Sequence, residues 1–178
     1  MDKIGQRAAS VKRKRIISLL ICMLLVLNVV CLTGCGAGKK WKDGKCTISI
    51  ECSSILDNME DLKETKKEFV PSDGWILKET EVSFKGGETA FDVLKQICGK
   101  KGIHMASRYT PLYKSYYVEG INQLYEFDCG KNSGWMYSVN GEYPNYGASS
   151  YNLKDGDKVE WRYICNLGSD VGDKYEGK

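Results

Sequence analysis

From Cys46 to Cys52 the chain alternates, with Cys46, Ile48, Ile50 and Cys52 separated by Thr47, Ser49 and Glu51. That period of two predicts a half-buried strand. Residues 53–68 set Ile55, Leu56, Met59 and Leu62 among acids and lysines, a spacing that predicts a short amphipathic helix. Val70-Pro71-Ser72-Asp73-Gly74 predicts a turn. Trp75 to Phe84 predicts a second strand with Ile76, Val82 and Phe84 as its apolar positions, and Gly86-Gly87 breaks it. The clearest helix follows. Thr89 and Asp92 form a capping-box pair, and Ala90, Phe91, Leu94, Ile97 and Cys98 recur on one face. Gly99 and Gly102 close it. Beyond Gly102 the pattern turns to consecutive strands. Asn140-Gly141 carries a tight-hairpin signal, and Leu153-Lys154-Asp155-Gly156-Asp157 a second turn. In the strand after it, Val159, Trp161 and Tyr163 share a face. The order of elements predicts an α+β domain, one main helix packed on a mixed sheet.

The first thirty-four residues follow another pattern. Six basic groups precede an apolar run from Ile16 to Val30, the layout of an export signal helix. Leu32-Thr33-Gly34-Cys35 resembles the lipobox of bacterial lipoproteins. The resemblance implies a signal peptide over 1–34 and a diacylglycerol thioether on Cys35, with the mature chain anchored to the outer face of the cell membrane. Residues 35–45 then form a short tether reaching roughly 17 Å on average. That holds the domain of residues 46–168 near the bilayer, ahead of a polar, frayed tail over 169–178.

Charge changes the picture once the leader is set aside. The whole chain has 26 basic and 23 acidic side chains. Residues 1–34 hold six basic groups and one acid, which leaves 20 basic and 22 acidic groups in the rest. A near-neutral domain lacks the basic face that nucleic acid requires, so no nucleic-acid partner is expected. Five cysteines remain after Cys35, namely Cys46, Cys52, Cys98, Cys129 and Cys165. Export permits disulfides among them, and the odd count leaves one over. Cys46 and Cys52 would lie about 20 Å apart on one strand and must seek different partners. Cys98, on the helix's apolar face, is a disulfide partner or an inert core thiol.

Residues 109–163 hold ten of the eleven tyrosines together with Phe127, Trp135 and Trp161. Within that stretch Ser133-Gly134-Trp135-Met136-Tyr137-Ser138-Val139-Asn140-Gly141, Tyr146-Gly147 and the Asp155-Gly156-Asp157 turn before Val159-Glu160-Trp161 resemble a bacterial family of unknown function. That family is related to the C-terminal β-domain of transcobalamin and intrinsic factor. Gly87-Glu88-Thr89-Ala90-Phe91-Asp92-Val93-Leu94 fits the same pattern. The resemblance implies a β-grasp fold of the soluble-ligand-binding type, with a corrinoid as candidate ligand and no required cofactor. The eukaryotic carriers hold the corrinoid between this β-domain and a large helical barrel, for which the mature chain has no room. A second binding protein or transporter would supply the other face. Ala148 stands where relatives often carry cysteine.

The candidate chemistry is that of binding. His104 is the only histidine and a weak metal candidate, with no Cys/His cluster beside it. No nucleophilic triad or phosphate-binding loop is legible, so the chain reads as a binding protein and not an enzyme. Trp135, Tyr137, Tyr143 and Tyr146 are the expected stacking groups, with Asn140 and Asn145 as hydrogen-bonding groups for a flat amphipathic ligand. The alternative is a module that docks a protein or glycan at the cell surface without a small ligand.

Overall fold

The computed structural model describes residues 41–169. The expected signal segment, the expected lipidation position Cys35 and the tail beyond Ser169 lie outside the described residues. Seven strands and one long helix make the described part an α+β structure. β1 (Gly44–Glu51) runs antiparallel to β2 (Trp75–Phe84) and parallel to β7 (Lys158–Ile164), which pairs antiparallel with β6 (Gly134–Val139). The resulting mixed sheet has the order β2-β1-β7-β6. A second, three-stranded antiparallel sheet joins β3 (Met105–Thr110), β4 (Ser115–Ile121) and β5 (Leu124–Tyr125).

Alternation sets the core. Ile48 and Ile50 face inward opposite Val159 and Trp161 in the parallel register, and all four are buried. Against them packs the long helix (Ala90–Lys101), called α2 because a single turn, α1 (Ser53–Leu56), precedes it. Its ends are written in the sequence. Thr89 Oγ1 accepts from Asp92 N–H while Thr89 N–H donates to the Asp92 carboxylate, and Gly102 caps the far end at φ 69°. The helix runs through Gly99 and stops at Gly102. Ala90, Phe91, Val93, Leu94, Ile97 and Cys98 form its buried face.

Three expectations need correction. Residues 53–68 are not one helix. They form the α1 turn and a 3-10 stretch (Glu64–Phe69), because Leu62 leaves the helical path to bridge Cys129 and Lys63 N–H donates to Asp128 O. β1 begins at Gly44, so the tether's last two residues belong to the sheet. Asp43 just before them is fixed as well, by Lys85 Nζ at 2.9 Å and Gly86 N–H at 2.9 Å. The Asn140-Gly141 turn is present, with φ of 55° and 82°, and closes the Val139–Glu142 bridge. No strand continues from Glu142, however, and the ladder partner of β6 is β7.

Candidate functional site

A cleft of about 550 Å³ opens between the β3–β4 hairpin and residues 144–150. One wall carries Arg108, Tyr113, Tyr116 and Tyr117, and the other carries Pro144, Asn145 and Tyr146. Tyr113 is 73% exposed, Tyr146 49% and Tyr116 44%, although each is an aromatic ring. Tyr116 is nonetheless held, because its ring stacks on Phe91 of α2 at 4.7 Å and 11°. The Tyr117 hydroxyl donates to the Glu126 carboxylate at 2.7 Å, and the Arg108 guanidinium lies 5.6 Å from the Tyr117 ring centre. Burial, followed by the Glu126 hydrogen bond, pushes the Tyr117 phenol up to about 12, so it stays a neutral donor at physiological pH.

The two walls are laced together below. Ser115 Oγ and Ser149 Oγ share a hydrogen bond at 2.8 Å, and Tyr116 N–H donates to Ser149 Oγ at 2.9 Å. Gly147 passes so close to β4 that a Cβ there would collide with Ser115 Oγ. The absent side chain at Gly147 is what lets this loop reach the hairpin. Asn152 Nδ2 donates to Gly87 O, and Ala90 N–H donates to Tyr151 O, which ties the same loop to the start of α2.

Behind the cleft lies an inner pocket of about 180 Å³. Tyr116, Tyr117, Pro144 and Gly147 line both spaces. Trp135, Met136, Tyr137 and Trp161 close the inner one. Trp161 is buried, yet among the described residues its indole N–H has no hydrogen-bond partner. Such a donor costs about 1–3 kcal/mol when left unsatisfied.

The expected site residues separate into three groups. Asn145 and Tyr146 line the open cleft. Trp135 and Tyr137 are 7% and 8% exposed, so they wall the inner pocket and are not open stacking platforms. Their polar tips are already used: Trp135 N–H donates to Leu124 O and the Tyr137 hydroxyl to Tyr146 O, both at 2.8 Å. Asn140 and Tyr143 line neither space. Asn140 holds its turn instead, its Nδ2 donating to Asp157 Oδ1 and its Oδ1 accepting from Lys158 N–H. His104 is exposed, 3.4 Å from the Tyr125 hydroxyl, and among the described residues no three His, Cys, Asp or Glu side chains gather where they could hold a metal ion. Sequence reasoning missed Arg108, Tyr113, Tyr116 and Tyr117. The available signal was the Tyr116-Tyr117 pair, since neighbours on a strand point to opposite faces and cannot share one core.

Residues 87–164, from the entry to α2 through the end of β7, match the family model described as "Domain of unknown function (DUF4430)". No curated protein matches the chain in sequence. Among solved structures the chain is similar to haptocorrin in complex with Cbi, at 17% identity and a TM-score of 0.50. That match covers 77% of this chain and spans about 29% of the haptocorrin chain. A candidate metal binding protein from Ruminococcus gnavus ATCC 29149 also matches, at 14% identity and a TM-score of 0.40, over 68% of this chain and 96% of that one. The haptocorrin likeness is one of fold.

Proposed function

We propose that this chain is a membrane-anchored, extracytoplasmic binding lipoprotein. Its β-grasp domain takes a small, flat, amphipathic ligand without transforming it. The strand order β2-β1-β7-β6, with its parallel central pair and one long helix, supports the β-grasp reading. The observation that carries the binding role is the cleft itself, where the exposed rings of Tyr113, Tyr116, Tyr117 and Tyr146 stand around about 550 Å³. A volume of that size suits a small-molecule site. A corrinoid is the candidate ligand, and the fold likeness to haptocorrin supports it. A corrin ring would be covered on one side only, so a second protein or a transporter supplies the other face. The lipid on Cys35 keeps the domain beside such a partner.

Titration of the mature protein with cobinamide and cobalamin, read by absorbance and calorimetry, tests this reading. Dissociation constants in the micromolar to millimolar range are expected, weakened about tenfold or more by Tyr116→Ala or Tyr146→Ala. No heat and no spectral change up to millimolar corrinoid ends the corrinoid version. The second reading, a docking module for a protein or glycan, draws on the hairpin tip, where Leu112 is 82% exposed beside Tyr113. Loss of partner capture on Leu112→Ser, with corrinoids inert, favours that reading.

A further inference from the structure

We propose that Cys129 and Cys165 close a disulfide, and that the other three cysteines of the described domain remain thiols. The two Sγ atoms lie 3.3 Å apart, so a covalent length of about 2.05 Å needs an approach of little more than 1 Å. Both positions are set by ordered backbone. Gly134 and Ile164 are the end pair of the β6–β7 ladder, so Cys165 leaves β7 beside the loop that enters β6. That loop folds back tightly. Cys129 N–H donates to Ser133 Oγ, Ser133 Oγ donates to Gly130 O, and Phe127 N–H donates to Ser133 O. Leu62 bridges Cys129 from the other side, and Leu167 N–H donates to Asn132 O, which holds the chain after Cys165 on the same loop.

Among the described residues, Cys46, Cys52 and Cys98 have no such neighbour. Cys46, Cys52 and Cys98 are free and buried on β1, just after β1 and on α2. Burial pushes their thiols up to about 11, 12 and 12, which suppresses the thiolate that exchange requires. Cys165 is the half-exposed member of the proposed pair and gives the reaction its entry. Its thiolate attacks one sulfur of a small disulfide such as oxidised glutathione, expelling one thiolate and leaving a mixed disulfide. Cys129 then loses its proton to solvent and attacks the Cys165 sulfur, expelling the second thiolate. Two protein thiols are oxidised by two electrons, and one small disulfide is reduced to two thiols. The bond staples the loop ahead of β6 to the end of β7. It thereby fixes the two strands that carry Trp135, Tyr137 and Trp161 around the inner pocket.

The test uses the full chain, incubated with oxidised glutathione, quenched with N-ethylmaleimide and digested with trypsin without reductant. Fragment 115–131 contains Cys129 alone, and fragment 163–174 contains Cys165 alone. The expected product is these two fragments linked, at their summed mass less two hydrogens, with Cys46, Cys52 and Cys98 recovered as maleimide adducts. Reduction should lower the melting temperature by roughly 5–10 °C, and the double variant C129S/C165S should melt at a temperature indifferent to reductant. Recovery of both fragments wholly as maleimide adducts overturns the proposal. So does a glutathione adduct on Cys165 with Cys129 alkylated, or a link from either cysteine to any of the other three.

Discussion

The β6–β7 ladder and the β3–β4 hairpin are both rich in aromatic rings, and those rings meet opposite fates. On β6 and β7, Trp135, Tyr137, Trp161 and Tyr163 are all buried, and three of the four polar tips reach an inward partner. Tyr163, for example, donates its hydroxyl to Tyr125 O at 2.7 Å while Ser133 Oγ lies 3.0 Å away. On the hairpin, Tyr109, Tyr113, Tyr116 and Tyr117 are exposed. Composition is the same, so composition does not decide. Burial goes to rings that sit under a covering layer, and exposure to rings on a hairpin that, among the described residues, is covered only in part. Trp161 is covered without an acceptor among the described residues, so the covering layer decides and not the polar partner.

High pH should break the comparison most bluntly. Burial raises the phenols of Tyr137 and Tyr163 above the ordinary tyrosine range, and Tyr117 rises to about 12. In the unfolded chain these phenols titrate near 10, so between about pH 10 and 12 the unfolded state holds fewer protons than the folded state. Stability from these groups is therefore intact below pH 10 and is lost as pH rises through their folded values. In a spectrophotometric titration at 295 nm, Tyr137 and Tyr163 should ionise only together with loss of near-ultraviolet circular dichroism. Their ionisation with the circular dichroism intact would dissolve the distinction.

Truncating the ladder should cost far more than truncating the hairpin. Trp161→Ala is expected to destabilise by about 3–5 kcal/mol in urea unfolding. Gly147→Ala forces the loop off Ser115 and should cost about 1–3 kcal/mol, with weakened ligand binding because the cleft walls part. Thr89→Ala removes the hydroxyl half of the capping box and should cost about 0.5–2 kcal/mol without touching the cleft. Tyr113→Ala should change stability by no more than about 0.5 kcal/mol and show its effect in ligand titration alone. A stability loss at Tyr113 as large as that at Trp161 would mean the hairpin is a second core and not a binding wall.

Much of the frame was legible because it rests on local chemistry. β2 spans the residues that its pattern predicts, Trp75–Phe84, and α2 starts at the Thr89–Asp92 box and stops at Gly102. The Asp155-Gly156-Asp157 turn also reads directly. Asp155 accepts from Lys45 N–H and Asp157 from Lys154 N–H, which places β7 beside β1. The segment over 53–68 failed for the complementary reason. Its apolar spacing fits a helix, but Leu62 is claimed by Cys129, 67 positions away, and no local pattern encodes that. The hairpin expected at Asn140-Gly141 failed in the same way, since the partner of Trp135 is Tyr163 and not a residue just past Gly141. For the site, one wall was legible from Asn145 and Tyr146. The other wall depends on how a separate sheet meets the 144–150 loop, a long-range relation that periodicity does not carry.

The central pair of the mixed sheet has a consequence for how the molecule comes into being. Thr47 and Lys158 are register partners, so the first strand made must wait for the last one before either is complete on both sides. Such a ladder has high contact order and forms slowly. Until Ile164 is available, β1 has only β2 beside it, and a nascent chain cut short anywhere before that point lacks the strand that joins both halves of the sheet. Assembly of this sheet is therefore close to all-or-none with respect to the synthesis of β7. A sheet that closes only once β7 has been made leaves the preceding polypeptide threadable until then.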